Sequence, residues 1–119
     1  MYLYYKLLNI DIMNKYSFVL FTVLIIFLYS CKKEKPTSPN EVFMTNSAFD
    51  PSTITITSGT TLTWTNKESM THTVTSDSLI FNSGDMSKNQ TFSYAFNKIG
   101  TYPYRCIYHN NMKGTIIVK

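Results

Sequence analysis

Cys106, His109 and Met112 follow one another at intervals of three within Gly100-Thr101-Tyr102-Pro103-Tyr104-Arg105-Cys106-Ile107-Tyr108-His109-Asn110-Asn111-Met112-Lys113-Gly114. A thiolate, an imidazole and a thioether in one short loop form a soft donor set, and copper is the ion they suit. Two histidines, one cysteine and a weak axial methionine are the signature of a blue-copper electron-transfer site. The second histidine must come from elsewhere in the chain. The sequence holds two histidines, so it can only be His72, in Met70-Thr71-His72-Thr73-Val74. Each residue has a plainer reading on its own: His72 as a hydrogen-bonded histidine of surface or core, Cys106 as a buried thiol, Met112 as core packing. Together they leave no histidine unused, and Cys106 is the only cysteine beyond Cys31.

Such a site needs a rigid frame, and the chain from Glu41 onward has the pattern of one. Short alternating runs separated by turn residues predict a small all-β sandwich or barrel. Val42 to Asn46 is the first candidate strand, and Phe49-Asp50-Pro51 follows it. In Thr53-Ile54-Thr55-Ile56-Thr57 the isoleucines share one face; in Thr61-Leu62-Thr63-Trp64-Thr65 the same alternation places Leu62 and Trp64 on the core side. Lys67-Glu68-Ser69 reads as a loop leading to a strand over His72 to Ser76, and Ile80-Phe81 as a short strand. Thr91 to Phe96 puts three aromatics on one side. After Gly100, the residues Tyr102, Tyr104 and Cys106 share an inward face, while Pro103, which has no ladder donor, argues for an edge or a break in pairing. Gly114 opens the last strand, with Ile116 and Val118 inward.

Ahead of this domain, Tyr16 to Ser30 is an unbroken run of apolar, aromatic and small residues after Lys15. Its length suits the apolar region of a signal peptide and falls short of the roughly 20 residues of a membrane span. The reading is a signal peptide over 1–30, with Met13 as a second candidate start, and an exported product. Leu28-Tyr29-Ser30-Cys31 is similar to a bacterial lipoprotein cleavage box, which would make Cys31 a lipidated N-terminus and 31–40 a linker at the membrane. The alternatives are an ordinary signal peptide cut near Ser30, or a disulfide between Cys31 and Cys106. The formal charge of +4 resides mostly in the leader and in Lys32, Lys33 and Lys35; residues 41–119 carry six Lys and Arg against five Asp and Glu. No basic face of the kind that nucleic-acid binding requires is present.

Residues 41–119 resemble a cupredoxin of the plastocyanin, pseudoazurin and amicyanin type. The likeness rests on Ala48-Phe49-Asp50-Pro51, on Gly59 before Leu62-Thr63-Trp64-Thr65-Asn66, on His72-Thr73-Val74, on Phe92-Ser93-Tyr94, and on the run from Gly100 through Gly114. The resemblance implies a Greek-key β-sandwich of about seven to eight strands, and one copper ion held by His72, Cys106 and His109 with Met112 as the axial ligand. It also implies one-electron transfer through the exposed edge of His109. A monomer on the periplasmic or cell-surface side of a bacterial membrane, exchanging electrons with a cytochrome or a periplasmic oxidoreductase, is the expected setting. Two departures stand out. Thr73 occupies the position after the first histidine where many relatives carry an asparagine that braces the cysteine loop, and Asn110 and Asn111 stand where relatives often place proline or glycine, which predicts a looser loop.

Copper storage or delivery is the competing function, distinguished by the absence of redox use. An enzyme fits the residues poorly. Copper oxidases and nitrite reductases need further histidines for further metal sites, and a Cys106/His109 nucleophile pair would lack any oxyanion-forming motif.

Overall fold

A computed structural model of the chain describes residues 34–119; the expected leader over 1–30 and Cys31 lie outside the described residues. Eight strands form: β1 (Glu41–Thr45), β2 (Ala48–Asp50), β3 (Thr53–Ile56), β4 (Thr60–Asn66), β5 (Thr75–Ser76), β6 (Thr91–Phe96), β7 (Gly100–Arg105) and β8 (Lys113–Val118). They make two four-stranded sheets, in the orders β2-β1-β4-β6 and β3-β8-β7-β5. The chain changes sheet after β2, β3, β4, β5 and β6, which is how a Greek-key sandwich ties its two layers together. Both sheets are mixed, with β1 parallel to β4 and β3 parallel to β8.

The alternation read from the sequence holds in the strands that build the core. Ile54, Ile56, Leu62, Trp64, Tyr104, Ile116 and Val118 are buried. Their threonine, proline and arginine neighbours point outward or lie at half-buried positions, except Thr65, which is buried. Trp64 sits at the centre, its ring within 5.6 Å of Tyr104, 5.7 Å of Phe92 and 5.8 Å of Phe81, centroid to centroid. These tilted and edge-on contacts between large rings supply much of the apolar area a domain of this size can bury. Gly114 is required by the same packing, because a Cβ there would run into the Tyr104 ring.

Three local expectations change. Ala48 to Asp50 forms a strand, β2, that turns back on β1 with Thr45 paired to Ala48; Asn46 and Ser47 make that tight turn at positive φ. The strand expected from His72 shrinks to β5, and His72 itself makes a single bridge to Met86. Ile80-Phe81 is not a strand: Phe81 packs into the core while Ile80 stays exposed. Pro103 lies inside β7, paired with Thr115 of β8. Its carbonyl accepts from Asp77 just past the end of the two-residue β5, so its missing donor falls where that neighbouring strand has already stopped.

Candidate metal centre

Four segments meet at the pole of the sandwich where β4 and β7 end. The β4 end is organised by Asn66, whose fully buried side chain folds the following loop around itself. Its Nδ2 donates to the carbonyls of Met70 and Met86, each at 2.8 Å, and its Oδ1 accepts the Glu68 N–H at 2.8 Å. The loop over 67–71 is thereby curled, and His72 arrives buried and pinned in both directions to Met86, N to O at 3.2 Å and O to N at 2.9 Å.

The His72 ring is fixed at both nitrogens. Nε2 lies 2.8 Å from Glu68 Oε2, and Nδ1 faces Cys106 Sγ at 3.8 Å. Glu68 is itself held, since Oε1 accepts the Ser47 N–H at 2.9 Å from the β1–β2 turn. Burial works to raise the Glu68 carboxyl, but the hydrogen bonds from His72 and Ser47 outweigh it and hold the group below the ordinary carboxylate range. A carboxylate on the far nitrogen of a histidine fixes tautomer and ring orientation, and it is the usual companion of a metal-binding imidazole. Nothing in the local pattern around Lys67-Glu68-Ser69 marks this role. The signal that could have found it is the spacing of Glu68 four residues before His72.

Cys106, just past β7, is a free thiol and almost fully buried. Its Sγ receives the Thr73 N–H at 3.4 Å and lies 3.6 Å from His109 Nδ1. Thr73 also braces the cysteine loop: its Oγ1 accepts the Ile107 N–H at 3.0 Å, with the Thr75 hydroxyl 3.2 Å behind it. The bracing of the cysteine loop is thus supplied here by a hydroxyl. The loop closes through Cys106 N–H to Met112 O at 3.0 Å and Met112 N–H to His109 O at 2.9 Å, and Met112 is fully buried beneath it. Tyr108 reaches across to donate to Asp85 Oδ1 at 2.6 Å, and that bond raises its phenol above the ordinary value.

The donor atoms of His72, Cys106 and His109 lie within 4.8 Å of one another. Metal–sulfur and metal–nitrogen bonds of about 2.3 and 2.0 Å, at angles between tetrahedral and trigonal, require sulfur and nitrogen to be roughly 3.5–3.7 Å apart. The His109 distance of 3.6 Å falls in that range, and the His72 distance of 3.8 Å lies just above it. One thiolate with two imidazoles, and a thioether buried in the same loop, is the donor set of a type 1 copper site. His109 is half-buried, and the loops carrying the two histidines also present Met70, Ile107 and Tyr108, all about half exposed.

Comparison with known proteins agrees with this geometry. The family described as Cupredoxin-like domain matches residues 18–118. Amicyanin-alpha of Methylorubrum extorquens is 34% identical over 97 residues, covering 73% of this chain and 77% of that protein. A Cu(I) structure of an amicyanin variant superposes with a TM-score of 0.64 at 26% identity, covering 73% of this chain and 94% of the other. A copper-containing nitrite reductase from Thermus scotoductus SA-01 also superposes, with a TM-score of 0.64 at 25% identity; 76% of this chain corresponds to 24% of that enzyme.

Proposed function

Because this chain belongs to the cupredoxin-like family, we propose that it is an electron carrier in which His72, Cys106, His109 and Met112 would hold one copper ion. When bound, copper supplies a one-electron couple between Cu(II) and Cu(I). The observation that carries the reading is the convergence of the Cys106 thiol and two imidazole nitrogens within 4.8 Å of one another on a rigid pole of the sandwich.

The chain's own residues prepare the site for that couple. The Cys106 thiolate and Met112 thioether suit the reduced ion, and imidazole suits both states. Glu68 and the Met86 bridge fix His72, and Thr73 holds both the sulfur and the first residue of the loop. Donors that do not move between oxidation states keep the reorganisation on electron transfer small. The half-buried His109 is the ligand nearest solvent, and the apolar Met70, Ile107 and Tyr108 suit contact with a redox partner such as a cytochrome or a periplasmic oxidoreductase. In the setting we propose, 1–30 is a signal peptide, Cys31 a lipid-anchored N-terminus, 31–40 a linker, and 41–119 a monomeric domain on the outer side of a bacterial membrane. The likeness to nitrite reductase supports a shared domain rather than shared catalysis, since both histidines of the sequence are spent in one site.

Adding Cu(II) to the purified protein tests the assignment. One equivalent should turn it intensely blue or green, because a short thiolate bond gives strong charge-transfer absorption, and Cys106→Ser should abolish the colour. Colourless stoichiometric binding would overturn the type 1 assignment and favour storage or delivery of the ion.

A further inference from the structure

The loop that carries His109 contains no proline between Cys106 and Met112, yet its middle is tied down. Its ends are secured by the Cys106–Met112, Met112–His109 and Ile107–Thr73 hydrogen bonds. Within the stretch from Tyr108 to Asn111 they hold only the His109 carbonyl. Among the described residues, neither Asn110 nor Asn111 contributes a side-chain hydrogen bond, the His109 Nδ1–Cys106 Sγ contact at 3.6 Å stays within the loop, and the hydrogen bond that leaves the loop from this stretch is Tyr108 O–H to Asp85 Oδ1 at 2.6 Å. That distance is typical of a strong hydroxyl-to-carboxylate bond.

Asp85 is a firm anchor. It lies next to Met86, which is bonded in both directions to His72, and the same segment is joined to Val74 through Ser83 N–H to Val74 O at 3.1 Å. Gly84 is held by the Asn82 side chain at 2.9 Å. The Tyr108–Asp85 bond therefore ties the segment that bears His109 to the segment that pairs with His72, and it is set one residue before His109.

We infer that Tyr108 and Asp85 form a clasp that fixes the middle of the ligand loop, making Tyr108 a positioning residue for His109. Tyr108 is half exposed, so water competes for its hydroxyl and the bond adds little to global stability. Its effect is local: it restricts a four-residue stretch whose other hydrogen bonds are made within the same loop. The inference rests on the copper reading only in naming His109 a ligand. The clasp itself is measurable without metal, so a failure of one is distinguishable from a failure of the other.

Amide hydrogen exchange of the metal-free protein is the first test. Tyr108→Phe keeps the ring and removes the donor, and should speed exchange at His109, Asn110 and Asn111 about tenfold, as expected for loss of one hydrogen bond to a charged group. Asp85→Ala should do the same, and the double variant should add nothing, because both substitutions remove one interaction. Exchange at Leu62 and Trp64 in β4 should stay as it was. In copper-loaded protein, release of the ion to a competing chelator should quicken by a similar factor. Unchanged loop exchange in Tyr108→Phe, additive effects in the double variant, or an equal rise in the β4 amides would each overturn the clasp.

Discussion

The side chain that decides how well this site is formed lies outside the donor set. Glu68 joins His72 Nε2 to the backbone of the β1–β2 turn, so it transmits the rigidity of one sheet to a candidate donor that sits in no strand ladder. Removing it leaves the imidazole free to rotate and the Ser47 N–H without its acceptor. Glu68→Ala should therefore weaken copper binding about 10–100-fold, the usual cost of losing a partner behind a metal ligand. Glu68→Gln, which keeps an acceptor for Ser47, should lose less. Competition against a chelator of known affinity measures both, and equal affinity in Glu68→Ala and the parent would show that the Met86 bridge alone orients His72. Thr73 holds the cysteine loop from both its groups: its hydroxyl accepts from Ile107 N–H, and its own N–H points at the thiol.

Among the elements, β7 and β8 carry the ligand loop between them, so their register sets the Cys106-to-Met112 span. That register depends on the close approach of Tyr104 to Gly114. Gly114→Ala would force the buried ring aside and should destabilise the protein by about 1–3 kcal/mol, the usual cost of overpacking a core. Tyr104 carries a second feature. Its hydroxyl, like Trp64 Nε1, is buried with no hydrogen-bond partner among the described residues, and burial pushes its phenol far above the ordinary value, an effect that the neighbouring Trp64 offsets only in part. An unpaired buried hydroxyl is a cost rather than a gain. Tyr104→Phe should accordingly match or exceed the parent in stability, by up to about 1 kcal/mol, and it should ease the contact with Gly114. Chemical denaturation of the two variants checks both signs; a marked loss in Tyr104→Phe would mean that the hydroxyl is satisfied by ordered water.

At the scale of the whole molecule, the core is built apart from the candidate site. Trp64, Phe81, Phe96 and Tyr104 pack between the sheets, and Glu68, Met86 and Thr73 hold the segments that bear His72 and Cys106. Metal-free protein should keep its β-sheet circular dichroism, and copper should raise its melting temperature in proportion to the logarithm of free copper, as mass action on the native state requires. Loss of the sheet signal on chelation would show instead that ion and fold are coupled. Sequence alone determined the all-β class and the inward faces of the long strands, because alternation repeats every two residues, and it singled out His72, Cys106, His109 and Met112 as candidate donors, because the chain holds two histidines and the loop spacing groups a thiol, an imidazole and a thioether. It determined less where the chain leaves regular structure. β2 was hidden by its Asp50-Pro51 ending, and His72 could not be recognised as a bridge residue, because an isolated bridge leaves no repeating pattern. The roles of Glu68, Asn66, Asp85 and Tyr108 were decided only in three dimensions. Their partners lie 4 to 23 residues away along the chain or on backbone atoms, and a hydrogen bond to a backbone carbonyl or N–H is made to a group that every residue carries, so no side-chain pattern announces it.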